Sequence, residues 1–257
     1  MNLSIIVPVY NCEKWIVNKI DEFLILTNQI KDSEIILVDD FSSDNTFNVI
    51  SNYISGNSSI RLLKLDKNQG KGAAVMKGLN ESSADYRIFT DCDLAYPISE
   101  VKKVYDELLS DKNIGMVIAN RRDLNSICEL NPKYFKHVYS REKSGATLNK
   151  FLKFMRLTLF DDTQAGLKGF RGNNIKKFGG ISVYRFGFDI ELLIIAVRQK
   201  IVIKQIPVRY IYHDDQSSVS VIRDGIRIIR DSIKTVSYTH LRAHETPEHL
   251  VCRLLLE

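Results

Sequence analysis

Short runs of consecutive apolar residues alternate with amphipathic stretches through the first half of the chain. The run Leu3–Val9 is rich in β-branched side chains, and its length suits a strand rather than a helix. Residues 13–30 carry Ile16, Ile20, Phe23 and Leu24 at helical spacing, and residues 34–39 form a second apolar run. Asp44 stands where its carboxylate can accept the free N–H groups that open a helix ending near residue 54. The rhythm repeats with strands at 60–65, 86–90 and 114–119 and helices at 71–83 and 98–109. Continuous apolar strands joined by helices predict a mostly parallel sheet covered on both faces, a three-layer α/β fold.

The pattern loosens after Asn120. Residues 121–143 are polar and basic and read as a loop, while residues 146–160 place Leu148, Phe151, Leu152 and Met155 on one helical face. Residues 161–171 read as a polar turn and a short strand, followed by a helix over 188–198 and a strand over 201–208. No repeat, linker or low-complexity segment divides the chain, so one domain is expected over residues 1–236. Within residues 220–234, Ile222, Ile226, Ile229 and Ile233 form one apolar stripe, with Arg223, Arg227, Arg230 and Lys234 one position along. Such a basic amphipathic helix either lies in a membrane interface or packs on the core with a solvated basic edge, and both readings stay open.

Composition narrows the classes. With 257 residues, 44% apolar and 26% charged, the chain can bury a full core. A net charge of +5 without a basic run interleaved with aromatics argues against nucleic acid, but suits an anionic substrate or membrane surface. The four cysteines form no C-x-x-C pair, so reduced thiols are expected rather than a zinc site or disulfides. No run approaches the roughly 20 apolar residues of a membrane span, and no signal peptide precedes the first strand. A cytoplasmic protein, at the inner face of the cell membrane, is expected. Residues 237–257 hold three of the five histidines and resemble a translated sequencing adapter. They are read as a non-native tail, and His240, His244 and His249 are not read as metal ligands.

Candidate chemistry clusters where four successive strands end, which is where parallel α/β sheets bind ligands. The ends are Pro8-Val9-Tyr10-Asn11, Asp39-Asp40, Asn68-Gln69-Gly70-Lys71-Gly72 and Asp91-Cys92-Asp93. Asp91 and Asp93 are two residues apart, so on extended backbone both point to one side. Paired carboxylates repel unless a cation lies between them, and hard oxygen donors favour Mg2+ or Mn2+. Gly70-Lys71-Gly72 opens a helix, where small residues let backbone N–H groups approach a phosphate and Lys71 adds charge.

These segments, in this order, resemble family 2 glycosyltransferases of the GT-A fold. The resemblance runs over residues 3–235 and includes Ile36 to Thr46, Arg121, Arg141-Glu142-Lys143-Ser144, Asp162 to Lys168 and Gly187 to Leu192. The later segments are similar to the branch that makes polyprenyl- or dolichyl-phosphate glucose or mannose. The resemblance implies a nucleotide-binding half to about residue 120, an acceptor half to about 215 and an amphipathic helix over 218–235. It implies that Pro8, Tyr10, Glu13, Asp39, Gly70, Lys71 and Asp91 hold the nucleotide, and that Asp91 and Asp93 hold the metal. Arg121 and Arg141 would face phosphates and, with Asp162, carry the chemistry; Ser144, Thr163, Gln164, Asp189 and Glu191 would meet the acceptor. Two positions depart from the pattern: Ala95 replaces a Gln common in mannosyl-lipid enzymes, and Ser217-Ser218 replaces Ser-Lys.

The implied reaction is inverting, metal-dependent transfer of a hexose from a UDP-glucose or GDP-mannose type donor. A polyprenyl phosphate acceptor needs no strong base, whereas a glycan hydroxyl on a surface polysaccharide would need one, with Asp161 or Asp162 as candidate. A nucleotidyltransferase or a non-catalytic sugar-nucleotide binding module remains the alternative from other classes.

Overall fold

The computed structural model describes residues 2–130, 160–179, 181, 183–185 and 187–212. Five strands and four helices alternate first: β1 (Leu3–Val9), α1 (Ile16–Gln29), β2 (Ser33–Asp39), α2 (Thr46–Tyr53), β3 (Ile60–Lys64), α3 (Lys71–Glu81), β4 (Tyr86–Phe89), α4 (Ile98–Ser110) and β5 (Ile114–Asn120). Then come β6 (Ile127–Glu129), β7 (Lys168–Arg171), a 3-10 helix (Gly172–Phe178), α5 (Phe188–Arg198), β8 (Val202–Pro207) and β9 (Arg209–Ile211). The expected helix at 146–160, apart from Phe160, and the amphipathic helix near 220–234 fall outside the described residues. Among the described residues, no helix is long and apolar enough to cross a membrane.

Seven strands form one sheet in the order β3-β2-β1-β4-β7-β5-β8. All run parallel except β7, which is antiparallel to both β4 and β5. The sheet is buried on both faces because its apolar runs are continuous: alternate residues feed opposite cores. Leu3, Ile5 and Val7 of β1, Ile35 and Leu37 of β2, and Val117 and Ala119 of β5 join one core with α1 residues Ile16, Ile20, Phe23 and Leu26. Ile6, Ile36, Val38, Phe89, Met116 and Phe170 join the other, against α3 and α5. Each fully buried Leu, Ile or Phe contributes about 1.5–3 kcal/mol of transfer free energy, so the two cores dominate the fold's stability.

The reversal of β7 was not readable from residues 161–171, whose pattern gives a strand but no direction. Its consequence is functional. A strand running against its neighbours starts where they end, so the loop leading into β7 is delivered to the carboxyl ends of β1, β4 and β5. The small pair β6–β9 lies beside the same end, and Ile211 N donates to Ala95 O at 2.7 Å. Ala95 is thereby fixed by its carbonyl.

Candidate active site

The first two strand ends are laced together. Asn11 N donates to Ser42 Oγ at 2.9 Å, Ser43 N to Asn11 Oδ1 at 2.8 Å and Asn45 N to Glu13 Oε2 at 2.8 Å. Asp44 accepts from Thr46 N at 3.0 Å at the head of α2, the expected capping role displaced by one residue. Asn11, Phe41 and Leu94 all adopt left-handed backbone, with φ of 49°, 59° and 54°. Three non-glycine residues in that region at adjacent strand ends mark a constrained rim. Pro8 and Asp39 are buried here, and Asp39 turns back on Ser42, while Tyr10 is exposed and free to lie against a ring.

Asp40 organises the third strand end. Its carboxylate accepts from Gln69 N and Gly70 N, each at 2.8 Å, and from Asn68 Nδ2 at 3.1 Å. Burial raises the Asp40 carboxyl despite these donors. Gly70 has φ +102°, and a Cβ there would lie 2.8 Å from Tyr184 O. Gly72 N donates to Tyr184 O at 2.7 Å. These contacts correct the expected role of the glycines: the N–H groups of residues 69, 70 and 72 are used within the protein. What the loop offers a phosphate is the Lys71 side chain, with exposed Arg185 beside it; Arg185 donates to Asn68 Oδ1 at 3.2 Å. No sequence motif pointed to Arg185.

Lys71 pairs with Asp91 at the fourth strand end. Burial pulls the Lys71 ammonium down, but Asp91 and Asp189 together raise it above its ordinary value. Asp93 Oδ1 accepts from Ala95 N at 2.9 Å, which fixes the carboxylate after the strand. Gly166 backs Asp91: a Cβ at Gly166 would lie 2.0 Å from Asp91 Oδ2. The loop before β7 therefore reaches under the first acidic residue, and a Cβ at Gly166 would require the Asp91 carboxylate to move. Gly166→Ala is expected to displace the carboxylate and lower kcat/KM about a hundredfold, since misplacements of about 1 Å cost that much. Steady-state kinetics beside circular dichroism checks this; wild-type kinetics in a folded variant would remove Gly166 from the site.

The same loop carries Asp162, 1% exposed and held by Arg121 in a two-point ion pair: Nε–Oδ2 at 2.6 Å and Nη2–Oδ1 at 2.9 Å. Arg121 N adds a third bond at 3.1 Å. Burial would raise the Asp162 carboxyl; the guanidinium outweighs it and holds the pKa at about 2. The pair therefore lowers the basicity of Asp162, one of the two carboxylates the sequence offered as a proton acceptor. Arg121 reaches the crevice edge with its side chain 34% exposed.

Four other expected residues are turned inward. Thr163 is buried, and Gln164 N donates to Asp162 Oδ1 at 3.2 Å. Asp189 is buried against Lys168, a lysine with no exposed surface that also donates to Ala165 O at 2.6 Å. Glu191 is buried and accepts from Val183 N at 2.7 Å. Asp189 and Glu191, expected from the resemblance to meet the acceptor, are each held by partners within the protein. Arg141 and Ser144 lie outside the described residues. Among the described residues Cys12, Cys92 and Cys128 form no disulfide.

The donor set suits a hard divalent cation. Asp91 and Asp93 present carboxylates from one strand end, and Gly166 leaves the first of them room. Among the described residues no group of three His, Cys, Asp or Glu forms an all-protein cage. The remaining ligands would then be phosphate and water oxygens, the usual arrangement for Mg2+ and Mn2+ at nucleotide sites.

A three-layer sheet with acidic and basic groups gathered at its carboxyl ends is the architecture of GT-A glycosyltransferases. Comparison with known proteins agrees. The model of the family described as Glycosyl transferase family 2 matches residues 4–171. The dolichyl-phosphate beta-glucosyltransferase of Dictyostelium discoideum is 29% identical over 243 residues, covering 88% of this chain and 73% of that one. The UDP-N-acetylglucosamine–dolichyl-phosphate N-acetylglucosaminyltransferase of Methanococcus voltae is 29% identical over 227 residues, covering 82% and 86%. Glucosyl-3-phosphoglycerate synthase from Mycobacterium tuberculosis, crystallised with Mn2+, UDP-glucose and phosphoglyceric acid, superposes with a TM-score of 0.67 at 18% identity, covering 96% of this chain and 81% of that one. The chain belongs to glycosyl transferase family 2, and it is a glycosyltransferase similar to the dolichyl-phosphate glucosyltransferase branch. The nucleotidyltransferase alternative falls with that assignment.

Proposed function

We propose that this protein transfers glucose from UDP-glucose to a polyprenyl phosphate, with inversion at the anomeric carbon. The observation that carries the acceptor is the state of the carboxylates on the acceptor side. Asp162 is committed to Arg121, Asp189 to Lys168 and Glu191 to a backbone N–H. A hydroxyl acceptor needs a base to take its proton, whereas a phosphate arrives anionic and needs none. The curated relatives' names point the same way, to dolichyl-phosphate acceptors. The Dictyostelium relative's name gives glucose as the sugar and the Methanococcus relative's name gives UDP as the nucleotide, so of the two donor classes open from sequence, UDP-glucose is preferred over GDP-mannose.

In this reading a phosphate oxygen of the acceptor attacks the anomeric carbon, and the bond to UDP breaks with its electron pair leaving on the diphosphate. Asp91 and Asp93 would hold a divalent cation, which when bound neutralises charge on that diphosphate. Lys71 and Arg185 add positive charge on the same side. Arg121 faces the incoming phosphate, positioned by its pair with Asp162. Tyr10 and the rim of residues 11–13 lie where the nucleoside would be held.

The test is transfer of radiolabel from UDP-glucose into the organic-soluble fraction with a polyprenyl phosphate, beside parallel reactions with GDP-mannose and with an oligosaccharide acceptor. Label is expected in the lipid from UDP-glucose alone. Label in the oligosaccharide instead would replace this reading with the hydroxyl-acceptor one, in which exposed Asp161 is the remaining candidate base.

A further inference from the structure

Both oxygens of Asp91 have neighbours within the protein. Oδ1 is paired with the Lys71 ammonium, and Oδ2 lies against Gly166, where a Cβ would come to 2.0 Å from it. A divalent cation arriving at Asp91 therefore meets a carboxylate that already has a counter-ion. The ammonium and the cation compete for the same negative charge, and side by side they repel each other.

Where Lys71 can go when it leaves Asp91 is set by its surroundings. Its backbone is fixed at the first turn of α3, where Gly70 has φ +102° and Gly72 N donates to Tyr184 O at 2.7 Å. Its Nζ stands 5.9 Å from the centroid of the Phe89 ring, and Lys168 Nζ stands 5.4 Å from the same centroid. Asp189 also acts on the Lys71 charge, but its carboxylate is paired with Lys168. The Lys71 side chain is 32% exposed, so the way open to it is the crevice. A flexible four-carbon stem on a fixed root lets the ammonium swing there, toward the place the donor's diphosphate would take.

We infer that Lys71 is a built-in competitor for the divalent cation and couples cation binding to nucleotide binding. While Lys71 holds Asp91, a cation alone binds weakly. A diphosphate offers the ammonium other anionic oxygens, and Lys71 moves to them and frees Asp91 Oδ1. Each ligand then raises the other's affinity by one common factor, beyond what their direct contact supplies. As the nucleoside diphosphate departs, Lys71 reclaims Asp91 and helps release the cation. The inference rests on the reading that Asp91 and Asp93 hold a divalent cation.

The test is Lys71→Met, which keeps most of the side chain's length and removes its charge. Mn2+ binding is read from the paramagnetic resonance signal of the free ion, with and without UDP, and UDP binding by calorimetry with and without Mn2+. In the variant, Mn2+ alone is expected to bind about fivefold more tightly, the worth of a partly exposed ion pair. UDP without Mn2+ should bind more weakly, and the factor by which UDP tightens Mn2+ should fall about tenfold. Arg185→Met removes a nearby charge that is bonded to Asn68 rather than to a carboxylate, so it should change the affinity for Mn2+ alone by less than about twofold. Unchanged or weaker binding of Mn2+ alone in Lys71→Met would overturn the inference and leave Lys71 a ligand of the diphosphate only. An equal gain in the two variants would also overturn it, since charge anywhere nearby would then suffice. A wild-type protein that binds Mn2+ neither alone nor with UDP would overturn the cation reading as well.

Discussion

Asp91→Asn is expected to cut glycosyl transfer at least about a thousandfold while the protein stays folded. The side chain follows β4, is one-third exposed, and lies against Lys71 and Gly166. Asparagine has the same shape and clears Gly166, so packing is kept. What goes is one of the two negative charges that would hold a cation against the diphosphate, and with it the main electrostatic stabilisation of the leaving group. The lost ion pair with Lys71 is a partly exposed one, worth at most about 1 kcal/mol, so the melting temperature should move little. Label transfer under saturating donor, beside a thermal melt, separates the two effects. A folded variant with wild-type rates would take Asp91 out of the donor site.

Arg121→Ala is expected to be the most destabilising single change in the site. It strands Asp162, 1% exposed, without the guanidinium that holds its pKa at about 2. Breaking a buried pair by removing one partner typically costs about 3–5 kcal/mol, a large share of the about 5–15 kcal/mol that keeps a domain folded. The sign of its pH dependence is fixed. In the wild type the folded Asp162 carboxyl lies below its ordinary value of 3.8, so its stabilisation is fully present above about pH 4 and is lost as pH falls through about 2. In the variant burial, which raises the carboxyl, is opposed only by the Arg122 charge and the backbone N–H bonds, so the carboxyl moves up and protonation relieves the variant as pH falls. Urea unfolding at pH 7 and near pH 3 should show the gap between the two proteins narrowing in acid. A gap that does not change with pH would contradict the assignment. Arg121→Lys should recover part of the stability but not the two-point geometry.

The nucleotide half was legible because its signals are local. Continuous apolar runs fix strands, polar residues at their ends fix the crevice, and predicted boundaries there fall within a few residues of those observed. Asp91, Asp93 and Lys71 were found together because each follows or precedes such a run. The acceptor half was less legible because its signals are not local. The direction of β7 depends on pairing with β4 and β5, and it is this reversal that brings Asp162 and Gly166 to the crevice. Asp189 and Glu191 look like surface carboxylates at the head of α5, and only packing against Lys168 and Val183 shows them turned inward. The phosphate role expected of Gly70 and Gly72 failed for a similar reason. Asp40 and Tyr184 claim their N–H groups, and neither contact is visible along the chain.

The central claim is that one crevice, at the carboxyl ends of β1, β2 and β4, holds the nucleotide through a cation on Asp91 and Asp93. The most direct test is anomalous diffraction at the manganese edge from crystals grown with Mn2+ and UDP. The account predicts one peak about 2.1 Å from carboxylate oxygens of both aspartates, with the diphosphate on it, Lys71 moved off Asp91 and the uracil beside Tyr10. A manganese peak away from both aspartates, or UDP bound at the opposite end of the sheet, would contradict it.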